Sequence, residues 1–218
     1  MYSQQSVNAA EIGFFLLEGD SQDNTQDVLN EYANRNKNIH LIQKGATYNA
    51  VSSTEDPNRI ASLSRLGSTV IDAAKDQCEY VLFVESDLIL PPNLLVYCFD
   101  AMLNHNLENP GIISPIPLLE NQNVFYDTWG FRNLDGSRWN SHPPYHPVLA
   151  QHDRFIPMSS IGSCALIKGE ALRQGANFYE GAFVEMCRRV RELGYNIYAD
   201  KAQSIRHPAS NLVHGRWV

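Results

Sequence analysis

The sequence predicts a single α/β domain whose mostly parallel sheet is covered by helices on both faces. Apolar runs at residues 12–17, 39–42, 80–84 and 111–116 have the length of buried strands, and stretches with helical spacing separate them. Strands that alternate with helices along a chain are typical of parallel sheets. A length of 218 residues and a hydrophobic fraction of 44% suit one domain with a full core.

In the first half, flanking residues mark where each element begins and ends. The strand at 12–17 leads into a polar turn, where Ser21 or Asp23 is placed to cap a helix. The apolar positions of that helix are Val28, Leu29, Tyr32 and Ala33. A longer helix follows the second strand, and its apolar face comprises Ile60, Leu63, Leu66, Val70, Ile71 and Ala74. Pro91 and Pro92 end the third strand region and suit the start of a helix at residues 94–99.

The second half begins with an irregular stretch. Residues 121–157 are rich in aromatic side chains and turn signals, so we expect an ordered binding wall with one short hairpin at most. A strand follows at 160–167, where Gly162 indicates close approach by another group. A helix at 183–193, terminated by glycine, and a last strand at 195–199 complete the domain, with His207 in the tail after it.

Composition excludes several classes of function. A net charge of −7 and a pI near 5.4 disfavour a nucleic-acid partner, and an anionic substrate would need a metal ion or a local arginine. No apolar run is long enough to cross a bilayer, and no export signal is visible, so we expect a soluble, cytoplasmic protein. The four cysteines are far apart without CxxC spacing, which favours reduced core residues.

Two acidic residues follow the third strand directly. Glu85 and Asp87 come at its carboxyl end, where α/β folds bind nucleotides and metals through oxygen ligands. Glu18 and Asp20 follow the first strand and are predicted to lie on the same edge of the sheet. The alternative for Glu-x-Asp is a solvated acidic turn, and spacing alone does not decide between them.

The chain resembles the glycosyltransferases of the A-type fold (GT-A), the nucleotide-diphospho-sugar transferases, in a family 2-like form. Residues 17–25 resemble their loop that reads the nucleotide base, Glu85-Ser86-Asp87 is similar to their DxD motif, and Arg65 sits where the family often places an arginine facing the nucleotide. Residues 162–207 resemble the acceptor side of these enzymes. Tyr126-Asp127-Thr128-Trp129 is similar to a segment of the fungal-type mannosyltransferase branches.

The resemblance implies one Rossmann-like GT-A domain over residues 1–218. Residues 1–117 would form the nucleotide-sugar half and 118–218 the acceptor half. It implies that the donor is held by Glu18, Asp20, Arg65, Glu85, Ser86 and Asp87. A Mn²⁺ or Mg²⁺ ion would bind Asp87 and stabilise the diphosphate leaving group, with His207 as a further ligand. The alternative for His207 is a surface histidine.

The acceptor side is less specified. Glu185 is our candidate catalytic carboxylate, with Glu180 as its rival, because the Glu-Asp pair of the inverting members is absent here. Whether the anomeric configuration is inverted or retained stays open. Aromatic side chains can stack on sugar rings or anchor the loop, and the candidates are Tyr126, Trp129 and Trp139. Arg132 can pair with a phosphate or cover the loop.

One part of the family pattern is missing. The family begins with a strand and a helix before the strand at 12–17, and we expect that first strand to be absent here, supplied by another chain or replaced by an unusual rearrangement. The predicted function is a metal-dependent glycosyltransferase (a hexosyltransferase) that moves a sugar from a nucleotide-diphosphate donor to a hydroxyl of a glycan, lipid-linked or protein acceptor. The alternatives are a non-catalytic nucleotide- or carbohydrate-binding module and, less favoured, a nucleotidyltransferase. Homo-oligomers are compatible with either function.

Overall fold

The computed structural model describes residues 12–19, 21–43, 56–120, 122–139, 154–208, 212–213 and 216–217. The strands are β1 (Phe14–Glu18), β2 (Ile39–Gln43), β3 (Tyr80–Val84), β4 (Pro110–Leu119), β5 (Phe155–Met158), β6 (Cys164–Lys168), β7 (Asn196–His207), β8 (Leu212–Val213) and β9 (Arg216–Trp217). The helices are α1 (Thr25–Arg35), α2 (Pro57–Ala74), α3 (Leu94–Asn104), α4 (Gly169–Arg173) and α5 (Ala182–Glu192). The alternation of strands and helices predicted for the first half is confirmed.

The main sheet is mixed, so the expectation of a mostly parallel sheet is wrong. Its five strands have the order β3-β6-β4-β7-β5, and β4 with β7 is the one parallel pair in this sheet. The cause is β6, which inserts between β3 and β4 in antiparallel orientation. Because β3, β4 and β7 still point the same way, their carboxyl ends share one edge, as the prediction of a site at that edge requires.

The first two strands form a separate parallel pair, β1 with β2. Among the described residues, β1 pairs with no strand of the main sheet, and β3 has β6 as its one partner. The prediction that the opening strand is absent concerns the residues before β1. Residues 1–11 lie outside the described part of the chain.

In the second half, several elements differ from the prediction: α4, β8 and β9 were not predicted, and the strand expected from residue 160 begins at Cys164. β5 was not predicted as a strand, because its four residues lie at the end of an aromatic and polar stretch with no clear alternation. β7 extends to His207 rather than ending near residue 199. Its register against β4 shifts between Pro115 and Ile116, and this irregularity lets one long strand follow the other to the edge of the sheet.

The core is built where the sheet meets its helices. One cluster joins α2 and α5 to the sheet through residues such as Ile71, Ile167 and Met186, and a second packs α3 on the other face. The prediction of core cysteines holds for Cys98, Cys164 and Cys187, which are buried, whereas Cys78 is half-buried. Within the described ranges, no helix combines the length and apolarity that a membrane span needs.

Candidate functional site

The candidate site lies at one end of a cavity of about 1080 Å³ between the β1–β2 pair and the main sheet. This polar end is lined by groups from four parts of the chain, namely Glu18, Arg59, Glu85 and the aromatic segment Tyr126-Asp127. Glu18 is the last residue of β1, and Glu85 directly follows β3. The structure therefore brings both acidic strand ends predicted from the sequence to one cavity.

Asp87 meets His207 at the sheet edge although 120 residues separate them in sequence. The Asp87 Oδ2 atom lies 3.1 Å from Nε2 of His207. A two-way backbone bridge between Ile89 and Arg206 holds the two segments together, with N–H to O distances of 2.7 and 3.0 Å. The histidine is 2% exposed and lies under the ring of Tyr126, at 3.8 Å between centroids, so it is a buried edge residue and not a surface one.

This pair fits a divalent metal ion. The Nδ1 atom of His207 lies 3.0 Å from the carbonyl oxygen of Pro208, so it donates its hydrogen there, and in the neutral ring Nε2 presents a lone pair to Asp87. Metal-bound histidines commonly donate their second N–H to a carbonyl in this way. Two acceptors so close need a proton or a cation between them. Neighbouring ligands of an octahedral ion with bonds of about 2.1 Å lie roughly 3 Å apart. The 3.1 Å between Asp87 Oδ2 and His207 Nε2 matches this separation.

The protein supplies few ligands of its own. Within the described residues there is no group of three or more His, Cys, Asp or Glu side chains arranged to hold a metal. An ion at Asp87 and His207 would therefore take its other ligands from water and from phosphate oxygens. Mg²⁺ is commonly bound in this manner, through one or two protein groups plus substrate phosphates.

Glu85 and Asp127 form a second pair of acidic side chains, near the candidate metal site of Asp87 and His207. The pKa of Glu85 is raised to about 7, first by burial and then by the charges of Asp127 and Asp87, while the guanidinium of Arg59 and a hydrogen bond with Ser163 act in the opposite direction. Burial also raises the pKa of Asp127, against hydrogen bonds from Gly130 N–H and the Ser163 hydroxyl. The two carboxyls thus lie in a partly dehydrated region, which is where a cation or a sugar hydroxyl gains most from a carboxylate.

Asp127 is held in a close-fitting backbone cradle. Its Oδ1 accepts from Gly130 N at 2.7 Å and its Oδ2 from Ser163 Oγ at 2.9 Å. A Cβ atom at Gly162 would lie 2.0 Å from Asp127 Oδ2, so only glycine allows the approach. Ser163 has a φ of 56°, a strained value for serine that aims its hydroxyl at the carboxylate. The prediction that Gly162 marks a close approach is confirmed.

Arg59 in the first turn of α2 is the arginine that faces the cavity. Its Nε is buried, and no hydrogen-bond acceptor for it exists among the described residues. Its charge acts on Glu85 and Tyr126, which places its guanidinium at the polar end. Asp56 caps the same helix through the N–H groups of Asn58 and Arg59. A buried donor without a partner is costly, so a bound anion would satisfy it.

The other predicted donor residues are placed as follows. Glu18 is 3% exposed and its Oε1 accepts from the N–H of Ser21 at 3.1 Å. Ser86 lines the cavity beside Glu85, at the exposed turn after β3. Arg65 is exposed on α2, two turns away from Arg59. Asp20 lies outside the described residues.

Glu185 is engaged at the surface of α5. Arg188 and Arg189 both donate to its carboxylate, at distances of 2.6 to 3.1 Å, and the Arg188 hydrogen bond lowers its pKa most, with Arg189 adding to this. Glu180, the rival carboxylate, is exposed just before the helix. The structure therefore does not bring Glu185 together with Glu85 and Asp87, and an acceptor would have to displace two arginines to reach it.

The aromatic candidates divide between site and core. Trp139 is 3% exposed and packs edge-on against Phe125, which makes it a core anchor. Tyr126 and Trp129 line the polar end of the cavity instead. Arg132 lies over the Trp129 ring at 5.9 Å and donates to the carbonyl oxygen of Gly136, so it covers the loop.

Two residues of the cavity were given no site role by the sequence analysis, Arg59 and Asp127. Arg59 had a usable signal, because it lies three residues after the capping residue Asp56 at the helix end that points toward the sheet edge. Asp127 also had a signal, because it stands in the Tyr126-Asp127-Thr128-Trp129 segment that resembles a family motif. Neither signal says which cavity the side chain enters.

Comparison with known proteins found similar solved structures but no similar sequence. No family model and no curated protein sequence matches the chain. The mannosyltransferase PcManGT from Pyrobaculum calidifontis, solved with GDP-Man and Mn²⁺, matches with a TM-score of 0.53 at 12% identity, over 93% of this chain and 49% of that one. GalNAc-T7, solved with UDP, GalNAc and Mn²⁺, matches with a TM-score of 0.57 at 10% identity, over 94% and 39%.

The chain has the GT-A glycosyltransferase fold. The A-type fold expected from the sequence is thereby supported, and the chain spans less than half the length of either structure. At such low identity the likeness extends to the fold, whose strand ends hold the site described above. Both of those proteins were solved with a nucleotide or nucleotide sugar and Mn²⁺.

Proposed function

We propose that the chain is a divalent-metal-dependent glycosyltransferase, which moves a sugar from a nucleotide-diphosphate donor to an acceptor hydroxyl. The observation that supports this most directly is the Asp87–His207 pair at 3.1 Å, and Arg59, whose buried Nε has no partner among the described residues, lines the cavity together with Glu85. A carboxylate and an imidazole suit Mn²⁺ or Mg²⁺, and a guanidinium suits phosphate. When bound, the metal ion neutralises the charge that develops on the diphosphate.

On the donor side, each residue has a proposed role. Asp87 and His207 bind the metal, and Arg59 donates hydrogen bonds to the diphosphate. Glu85 and Ser86 contact the ribose, while Glu18, with Asp20, reads the nucleotide base. Tyr126 keeps the His207 ring in place by stacking on it, so that Nε2 stays directed at Asp87.

On the acceptor side, Glu185 and Asp127 compete for the role of the carboxylate that receives the hydroxyl proton. Glu185 must lose its ion pairs with Arg188 and Arg189 before it can act. Asp127 already lines the cavity, with its carboxylate oriented by Gly130 and Ser163. The geometry favours Asp127, because an oriented carboxylate needs no rearrangement before proton transfer. The free thiols of the core favour a reducing compartment such as the cytoplasm.

Calorimetric titration tests the proposed function. We expect UDP or GDP, and the corresponding nucleotide sugars, to bind the wild-type chain in the presence of Mn²⁺ and to lose binding when EDTA removes the ion. A donor that binds should be hydrolysed slowly when no acceptor is present. Failure of every donor to bind at saturating Mn²⁺ would overturn the proposal, whereas binding without transfer or hydrolysis would support the non-catalytic alternative.

Two arginine variants decide which arginine of α2 holds the diphosphate. We expect Arg59→Ala to weaken Mn²⁺-dependent binding of a nucleotide diphosphate by about tenfold or more, since a charged hydrogen bond to phosphate contributes roughly 1.5–3 kcal/mol. Arg65→Ala makes the same chemical change at the exposed position and should alter the affinity by less than about twofold. Calorimetry measures both, and a larger effect at Arg65 would reverse the assignment.

A further inference from the structure

The segment after Asp127 adds an aromatic wall to the polar end of the cavity. Trp129 lies two residues after Asp127 and lines the same end. Its side chain is half-buried, and part of it packs against the hydrophobic core. An indole ring fixed in this way presents a flat apolar surface on which a sugar ring can stack, with a polar N–H at its edge.

Arg132 is fixed next to this ring by its backbone. Its N–H donates to Ser160 O at 3.0 Å, and its carbonyl oxygen accepts from Ser159 N at 2.9 Å. The guanidinium carbon lies 5.9 Å from the centroid of the Trp129 ring, and Nη1 donates to the carbonyl oxygen of Gly136 at 3.3 Å. The charged group therefore lies beside the indole ring, on a backbone that needs no rearrangement to present it.

One donor of this guanidinium is buried without an acceptor. Arg132 Nε is inaccessible to solvent, and no described residue accepts a hydrogen bond from it. The described residues contain two such atoms, and the other is Arg59 Nε, to which the proposed function gives the diphosphate. An unpaired buried donor is costly, and more so in a charged group. An anion bound beside Trp129 would remove this cost.

A second arginine adds positive charge at the same place. Arg132 and Arg138 lie directly opposite each other in the hairpin of residues 131–139. The backbone hydrogen bonds of this hairpin join the residues on either side of them, so the two form a non-hydrogen-bonded pair. In such pairs the two side chains share one face and lie closest. Two arginines on one face create a local positive potential in a chain whose net charge is −7.

The described acidic residues of this region are bonded to other groups. Asp135, in the turn of the hairpin, accepts from the N–H and the hydroxyl of Ser137. Asp127 accepts from Gly130 N and Ser163 Oγ. In the described part of the chain, neither carboxylate therefore serves Arg132.

We propose that Trp129 and Arg132 form a subsite for an acceptor sugar that carries a carboxylate or a phosphate. The sugar ring contacts the Trp129 indole, and the guanidinium of Arg132 donates to the anionic group. Both anions match a guanidinium through two parallel N–H bonds. A sugar held there lies beside Asp127, whose carboxylate is already oriented. The role of this sugar as acceptor rests on the proposed function, whereas the binding of an acidic sugar does not.

Titration of wild-type protein with three glycosides, followed by NMR of the tryptophan indole N–H groups, tests the subsite without nucleotide. The probes are methyl glucuronide, methyl glucoside phosphorylated on its primary hydroxyl, and neutral methyl glucoside. We expect an anionic probe to shift the Trp129 signal to saturation and to bind at least about tenfold more tightly than the neutral one. The tighter of the two anionic probes identifies carboxylate or phosphate as the anion. Trp129→Phe identifies the signal, and the core residue Trp139 should shift less.

Substitutions of Arg132 separate its charge from its position. We expect Arg132→Gln to weaken binding of the anionic probe by about tenfold or more and to leave that of the neutral probe within about twofold. Arg132→Lys, which keeps the charge, should retain more of the affinity. Arg35→Gln makes the same change at an exposed arginine of α1 and should leave the affinity within about twofold. The comparison of probes on wild-type protein needs no variant, so it decides even if Arg132→Gln does not fold.

A carboxylate of the same chain is the competing partner for Arg132. Residues 140–153 lie outside the described part of the chain and contain one acidic residue, Asp153. We expect Asp153→Asn to change the affinity for the anionic probe by less than about twofold. A gain of about tenfold or more would assign Arg132 to Asp153 and overturn the proposal.

Donor binding, measured separately by calorimetry with Mn²⁺, distinguishes this proposal from the proposed function. Arg132→Gln should leave the affinity for a nucleotide diphosphate within about twofold, and a tenfold loss would place Arg132 at the donor and overturn the subsite. Equal binding of the three probes, or no shift of the Trp129 signal at saturating probe, would overturn it too. Selective binding of an anionic probe by a chain that binds no donor would support the subsite and contradict the proposed function.

Discussion

Replacing Asp87 with asparagine is expected to reduce Mn²⁺-dependent binding of nucleotide diphosphates by at least about 100-fold. Loss of a residue that merely supports a metal ligand costs 10- to 100-fold in related sites, and Asp87 is itself the proposed ligand. Asparagine keeps the size of the side chain but removes the charge that the ion needs. The amide can still contact His207 Nε2 across the 3.1 Å gap, so the fold should be preserved. Calorimetry with GDP or UDP and Mn²⁺ measures the effect.

Asp135→Asn is the matched control for that experiment. Asp135 accepts a hydrogen bond from Ser137 N in an exposed turn, remote from the proposed metal ligands. The same loss of one charge there should leave the affinity within about twofold. EDTA treatment of the wild-type chain should reproduce the Asp87→Asn result. An Asp87→Asn variant that binds donor as tightly as wild type would show that the ion, if any, lies elsewhere.

Gly162→Ala should destabilise the fold by about 3–4 kcal/mol, the largest stability effect we expect from adding one methyl group to the chain. The new Cβ would lie 2.0 Å from Asp127 Oδ2 and would push the carboxylate out of its cradle. Overpacking alone costs about 1–3 kcal/mol, and loss of hydrogen bonds to a charged group adds more. Urea unfolding of both proteins measures the difference, provided that the slope of the transition is unchanged.

A second substitution shows whether the clash is with Asp127. Asp127→Ala in the Gly162→Ala background removes the opposing oxygen, so the two changes should cost less together than the sum of each alone. Gly13→Ala is the control glycine, because its added Cβ would be an ordinary 3.4 Å from Phe15. We expect it to change stability by less than about 0.5 kcal/mol. Additive costs for the pair at 127 and 162 would contradict the cradle.

The sequence predicted the elements that depend on local signals. Local signals within about twenty residues predicted β3 as an apolar run followed by two acidic residues. They also predicted α2 as an amphipathic helix. The fold class followed from their alternation. The expectation failed for β6, whose antiparallel insertion is a choice among strand pairings that no local window records.

The sequence alone did not predict which arginine of α2 faces the cavity. Arg59 and Arg65 lie on one helix six residues apart, and helical spacing alone allows either to face the sheet edge. Packing of α2 against α5 through the bond from Ala182 N to Ser64 Oγ sets the rotation of the helix and leaves Arg65 exposed. Glu185 is a different case, because Arg188 and Arg189 lie three and four residues after it on the same helix, and that spacing alone predicts the ion pairs.

By itself the sequence determined the ends of β1 and β3 to within a residue or so, the acidic residues placed there and the class of chemistry that oxygen ligands at such ends support. Only the tertiary structure decided that Asp87 lies 3.1 Å from His207, that Asp127 enters a glycine cradle, and that residues of β1 and β3 line one cavity. The physical reason is that periodicity reflects burial, which each residue experiences locally. Strand pairing and side-chain encounters across 120 residues depend on the summed packing of the whole chain.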